Sequence, residues 1–224
     1  MAYAFSDQLA KLSVLLGDPN TSTDDAFPLA NRKKEINRGE LHFARDTKAL
    51  REYVTGTVSG NTISIPSDWI ETHILVIGTR VVTNDYEVAL SDYERYSEDQ
   101  SEFYHYVWEV SGTKYITFFN SSADGETYKL WYFKKPTTEL SADADTSLFP
   151  EEYREASVYY AAAQLLKQIG KVTLAQQYMN EYAAYVSQAT IDLAKHYVNK
   201  EYPRPDFGDN FTSSVDRQGH GATY

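Results

Sequence analysis

In the last third of the chain, apolar positions recur at helical spacing and mark a pair of helices. Ala156, Tyr159, Tyr160, Ala163, Leu166 and Ile169 follow the three-and-four rhythm of one amphipathic helix. Pro150 stands where that helix should begin, because its missing N–H is one that a first turn leaves unpaired, and Glu151 and Glu152 suit the positive end of the helix dipole. Gly170 ends it, since glycine takes the left-handed C-terminal conformation without steric cost. Thr173 is the expected cap of a second helix, with Tyr178, Met179, Tyr182, Tyr185, Val186, Ala189 and Leu193 on its apolar side. So short a connection predicts an antiparallel hairpin over residues 150–198. Alanines 161–163 allow close approach. The tyrosine ladder is wider and more polar than one partner helix needs, which predicts that part of it faces another subunit.

Residues 6–16 form a shorter amphipathic pattern, with Phe5, Leu9, Leu12 and Leu16 on one side and Gly17 just beyond. After the turn-rich DPNTSTDDA, a second helix opens at Pro28. Leu29, Ile36, Phe43 and Leu50 fall at seven-residue steps, the last beyond the expected fraying point, with Arg32, Lys33, Lys34 and Arg38 between them on the wet side.

From about residue 53 to 135 the period changes to alternation. VTGTVSG and NTISIP predict two strands around the turn Ser59-Gly60-Asn61, with Pro66 ending the second, and HILVIGTRVV predicts a pair broken at Gly78. TKYITFFN and ETYKLWYFKK predict two more, joined through SSADG, whose Asp124-Gly125 suits a tight hairpin. PTTELSADADTS is a polar linker back to the helices. The sum is an α+β protein: a four-helix bundle-like helical domain (residues 1–52 and 148–198), an antiparallel β-domain with its linker inserted between helices 2 and 3 (53–147), and an extended C-terminal tail (199–224).

Two stretches fall outside this pattern. Between residues 84 and 104, Asp85, Glu87, Asp92, Glu94, Glu98, Asp99 and Glu102 face a single Arg95. Such a run is ordinarily a solvated loop or short helix, and its functional reading is an acidic, tyrosine-studded contact surface. Beyond Val198 the helical period is gone, and Tyr202, Phe207, Phe211 and Tyr224 are spaced along a proline-containing stretch. Aromatic anchors in an extended segment suit a tail that orders against a partner.

Composition narrows the function classes. A content of 42% hydrophobic residues supports a core, and the absence of cysteine removes disulfides and thiolate metal sites and suggests synthesis in a reducing cytoplasm. The N-terminal apolar residues are spaced rather than continuous and have no basic leader, so neither a signal peptide nor a membrane span is expected. The net charge of −11 argues against a surface that grips nucleic acid but suits one past which DNA slides. The 19 tyrosines favour interfaces, although half-buried strand positions account for many.

Candidate chemistry is sparse. Asp18-Pro19-Asn20-Thr21-Ser22 starts like a calcium loop, but Thr23 replaces the sharp-turn glycine and Leu29 the bidentate glutamate. His42, His73, His105, His196 and His220 have no zinc spacing. Glu151-Glu152 is explained by a helix start and Asp143/Asp145 by a linker, so neither pair suggests the acid–base work of a hydrolase. No phosphate loop occurs, and the one G-x-G, at Gly219-His220-Gly221, lies in the tail. Trp69, Trp108 and Trp131 carry an alternative reading, a tail or surface protein whose β-domain binds carbohydrate, weighed against ordinary packing in strands. No catalytic residue, cofactor or metal is expected.

Four segments in order, EINRGELHFARDT, IPSDWIE, the run from VWEVSGTKYITFF through LWYFKKPTTEL to SLFPEEYREASVYYAAAQLL, and AQQYMNEYAAYV, resemble the head-to-tail adaptor or connector proteins of tailed bacteriophages. The resemblance covers residues 5–195. It implies a structural protein without catalytic residues, located in the virion neck and assembled as a ring, usually of twelve copies, between portal and tail, through which genome DNA passes. It further implies docking on the portal through the end of the last helix, from Asp192 through Tyr197 to Val198, and a tail with Tyr202, Pro203, Phe207, Phe211 and Tyr224. The other expected partners are tail or neck proteins and further copies of the chain. Arg32, Lys33, Lys34 and Arg38 with Tyr178, Tyr182 and Tyr185 are the candidate subunit interface, and the basic run has a possible counterpart in the acidic run 85–102 of a neighbour.

Overall fold

The computed structural model describes residues 3–18, 26–82, 105–119 and 123–199, with side chains as far as Leu193. The acidic run 84–104 and the tail residues 202–224 therefore lie outside the described residues, as do the side chains of Tyr197 and His196.

Within them the chain is α+β, with four α-helices and two antiparallel sheets. Helices α1 (Phe5–Leu16) and α2 (Leu29–Thr47) precede seven strands: β1 (Arg51–Thr57), β2 (Thr62–Ser64), β3 (Trp69–Ile77), β4 (Arg80–Val82), β5 (His105–Val110), β6 (Thr113–Phe118) and β7 (Thr127–Lys134). A 3-10 turn (Glu151–Tyr153) then leads into α3 (Glu155–Gln168) and α4 (Val172–Asn199).

α3 is the centre of the helical part. It packs on α1, α2 and α4, and Ala156, Ser157, Val158, Tyr160, Ala161, Ala162, Ala163, Leu165 and Leu166 are all buried. A helix apolar on so many sides must be covered from several directions, and the alanine run lets its neighbours come close. Phe5, Leu12, Leu16 and Ile36 pack against Val158, Ala161, Ala162 and Leu165 toward the hairpin turn. Phe43, Phe149, Tyr153, Tyr160 and Tyr182 form the aromatic layer at the other end. Gly170, at φ 78, makes the predicted stop. Thr173 is not the cap, because α4 begins one residue before it.

The two sheets run β1-β7-β3-β4 and β2-β6-β5. They share one core, with Leu75, Ile77, Leu130 and Tyr132 from the first, Ile63, Ile116 and Phe118 from the second, and Val58, Ile65 and Ala123 from the connections. Only part of the expected strand pairing holds. β3 and β4 pair as predicted around Gly78. β6 and β7 are not a hairpin: β6 pairs with β2 and β5, whereas β7 pairs with β1 and β3. Asp124 instead accepts a hydrogen bond from the Gly60 amide (2.8 Å), so it braces the β1–β2 turn. β1 and β2 likewise belong to different sheets and meet only at the Ser59–Thr62 bridge. The β1–β2 and β6–β7 connections each pass from one sheet to the other, which alternation alone does not reveal. β5 was not expected, because its second half, Trp108, Glu109 and Val110, is exposed on both faces and carries no alternation.

The 136–147 linker is built into the helical part. Asn37 on α2 both donates to the Leu140 carbonyl (2.9 Å) and accepts from its amide (2.7 Å). The carbonyls of Asp145 and Asp143 accept from the amides of Phe5 (2.8 Å) and Ser6 (3.1 Å), taking up donors that the first turn of α1 leaves unpaired.

Candidate subunit and partner interfaces

The tyrosine ladder of α4 is largely spent inside the chain. Tyr182 is buried, stands edge-on to Tyr160, and donates to Asp46 Oδ2 at 2.6 Å. Tyr178 donates to the Leu15 carbonyl (3.1 Å), joining α4 to α1. Tyr185 stacks on Tyr159 and donates to Glu155 Oε2 (3.0 Å), which also pairs with Lys11. Tyr153 donates to Asp192 Oδ2 at 2.7 Å. Burial first, then the accepting carboxylate, pushes the Tyr153, Tyr182 and Tyr185 phenols well above the ordinary tyrosine range. The surplus that suggested a subunit contact is thus taken up by α1, α2 and the α3 face, because α4 packs against more than one helix. Tyr178 and Tyr185 are half-buried; Tyr182 leaves almost no surface for a neighbour.

Arg32 departs from the expected surface run. It is fully buried rather than on the wet side. Its Nε donates to the Phe27 carbonyl (2.6 Å), Nη1 to Ser13 Oγ (2.7 Å) and the Asp18 carbonyl (3.1 Å), and Nη2 to Asp18 Oδ2 (2.9 Å). The guanidinium fork ties the end of α1 to the start of α2, a geometry that one ammonium group cannot reproduce. It also explains Asp18, which heads the calcium-like stretch: its carboxylate is paired with a buried cation.

Lys33, Lys34 and Arg38 remain at the surface and line a groove of about 960 Å³ between α2 and the linker, with Lys135 on the far wall. Lys33 reaches the Ser141 carbonyl (2.7 Å), and Arg38 stands 3.8 Å from Glu35. Leu148, at 58% exposed, opens onto the same groove.

The groove floor is polar and closed. Glu40 accepts from Ser147 Oγ (2.6 Å) and from Gln8 Nε2 (3.3 Å), and Gln8 Nε2 also lies within hydrogen-bond distance of Ser157 Oγ and the Arg154 carbonyl. Four buried polar side chains thereby fasten α1, α2, the linker and α3 together. Burial pushes the Glu40 carboxyl above the usual range, against the opposing pull of its hydrogen bonds and of Arg154.

A second, shallower groove of about 470 Å³ runs between the 3-10 turn and α4, lined by Glu152, Tyr153, Glu181, Ala184, Tyr185, Gln188 and Asp192. Lys33, Lys34, Arg38 and Lys135 line the first groove together with Glu40, Glu139 and Asp145, whereas the charged lining of the second is wholly acidic, from Glu152, Glu181 and Asp192.

The remaining candidates do not gather. Trp131 pairs with exposed Tyr53 on the outer face of the four-stranded sheet, and Trp108 lies beside Tyr115 on the outer face of the three-stranded one. Trp69 packs against the sandwich core under Lys114. No common stacking platform results. His42 stacks on Tyr160 and His73 lies against Phe133 beside Arg51; burial lowers both imidazole pKa values. His105 is buried against Phe118. Glu151 and Glu152 are exposed at the 3-10 turn. Asp145 accepts from the amides of Ser141 and Ala142, which hold its carboxyl below the usual range.

Among the described residues no helix is long and apolar enough to cross a membrane. No curated protein matches the chain. The profile of the SU10 adaptor protein family matches residues 4–204, from the start of α1 through all of α4, and so takes in both grooves and the β-sandwich. The chain belongs to this family of phage head-tail adaptors and is a structural protein that interacts with other phage head or tail proteins.

Proposed function

We propose that copies of this chain form a ring in the virion neck, docked on the portal above and joined to tail or neck proteins below, with a channel through which genome DNA passes. The observation that carries this reading is the length of α4. The helix continues to Asn199, seven residues past Asp192, whose carboxylate takes the Tyr153 hydroxyl. At 1.5 Å per residue that end extends about 10 Å further and leads into the aromatic tail. A long helix followed in sequence by Tyr202, Pro203, Phe207, Phe211 and Tyr224 suits docking on a portal surface, where aromatic side chains supply contact area at low entropic cost. The net charge of −11 per copy, repeated around a ring, keeps DNA from adhering during passage.

Native mass spectrometry with the portal of the same phage tests the reading. The chain alone should be monomeric or weakly associated and should form a ring when the portal is added; no complex with the portal overturns it. Deletion after Val198 should leave the fold intact and abolish docking, and unfolding of the truncated chain would remove the tail from the docking surface.

A further inference from the structure

Two patches of opposite charge lie on different elements, one on α2 and one on the 3-10 turn with α4. The outer face of α2 presents Lys34 and Arg38 one turn apart, both exposed, with Lys33 beside them. The edge made by the 3-10 turn and α4 presents Glu152 and Glu181, both exposed, with Asp192 on the same edge. Along α4 that edge continues through the exposed Ala184, Gln188 and Ile191. Each surface has one large exposed apolar side chain, Leu148 at 58% by the α2–linker groove and Ile191 at 48% on the acidic edge, and Glu139 and Asp145 lie on the linker wall of that groove, away from Lys34 and Arg38 in sequence.

We propose that the α2–linker groove of one copy receives the α4 edge of the next, with Lys33, Lys34 and Arg38 against Glu152 and Glu181 and with Leu148 against Ile191. Two different, complementary patches on one molecule are what a head-to-tail contact requires. Pairing like faces would place cation on cation or carboxylate on carboxylate, which disfavours a two-fold dimer. Exposed ion pairs contribute little singly, so the apolar contact supplies affinity while the charges set direction and register. Closure of these contacts into a ring rests on the adaptor reading above; the complementarity itself does not.

Charge reversal tests it. The Lys34→Glu/Arg38→Glu and Glu152→Lys/Glu181→Lys variants, with folding checked by circular dichroism, are each mixed with the portal and followed by sedimentation velocity. Each alone should lose assembly about ten-fold or more. An equimolar mixture should restore it, because every contact in an alternating ring again joins opposite charges, and one chain carrying all four changes should behave likewise. Either variant assembling like the unaltered chain, or a mixture that fails to recover, overturns the proposal. Loss confined to the basic-face variant would mean that another acidic segment, such as 84–104, fills the groove. If the unaltered chain leaves the portal bare, the ring reading fails. The interface is then decided by the same samples concentrated at low salt without portal, where the unaltered chain and the mixture should self-associate and the separate variants should not.

Discussion

Gly39 of α2 lies directly against the backbone of Ser157 in α3: a Cβ placed on Gly39 falls 2.7 Å from the Ser157 carbonyl oxygen and 2.8 Å from its Cα. This crossing brings the two helices close enough for Glu40 to join the polar network around Ser157. In Gly39→Ala, the helix-propensity gain of about 1 kcal/mol competes with an overpacking cost of about 1–3 kcal/mol. The obstructing atoms are backbone and cannot rotate away, so the clash wins. A net loss of up to about 2 kcal/mol is expected in urea unfolding, and a raised midpoint would show that the crossing opens freely.

Glu40 sets a pH dependence. Its folded-state pKa is raised, chiefly by burial, so the native state holds the proton more tightly than the unfolded chain does. That contribution is fully present below the unfolded carboxyl pKa and is lost as pH rises through the folded value. Glu40→Gln, which keeps an amide oxygen for Gln8, should therefore melt higher than the unaltered chain at about pH 7, by about 1 kcal/mol or more. The difference should shrink toward about pH 4. A difference that grows on acidification would reverse the argument.

Arg32→Ala removes the fully buried guanidinium and leaves Asp18, Ser13 and the Phe27 carbonyl without their donor. Breaking such a pair costs about 3–5 kcal/mol. Arg32→Lys should recover less than half of the loss, since one ammonium cannot span acceptors set around a planar fork. A surface-like effect of Arg32→Ala, within about 0.5 kcal/mol, would contradict the buried geometry.

The buried phenols predict a base-induced transition. Tyr153, Tyr182 and Tyr185 have raised folded pKa values, so their stabilisation is intact below the ordinary tyrosine pKa of about 10 and is lost above it as the unfolded chain ionises first. Ultraviolet titration should show the exposed tyrosines ionising reversibly and the buried ones only with unfolding. Tyr182→Phe, which leaves Asp46 to water, should cost about 1 kcal/mol at neutral pH and move the alkaline transition upward.

Different levels of the structure were legible to different degrees. The hairpin of α3 and α4 and its stop at Gly170 followed from periodicity, because a helix buries a stripe whose spacing is local. The same logic failed for Arg32, which sits between apolar positions like its neighbours Lys33 and Lys34. Its burial depends on Ser13 and Asp18, brought near by a turn. Thr173 looked like a cap but lies within the first turn of α4. Of the residues proposed for the contact between copies, Lys33, Lys34 and Arg38 were legible as a basic run, but the acidic edge was not, since Glu152 and Glu181 lie far apart in sequence and come to one groove only across the hairpin.

The sequence by itself determined the four helices, most of the strands, the placement of the strand region between α2 and α3, and the kinship of the chain. Each of these depends on local periodicity, local turn chemistry, or the order of segments. Only the tertiary structure decided which strands share a sheet, where the tyrosine ladder is spent and which charges line a groove. The 59–61 and 119–126 connections carry the chain between sheets, and a turn's own residues do not state whether its two strands will pair. Likewise a charged side chain does not reveal its burial until the partners that compensate it are folded around it.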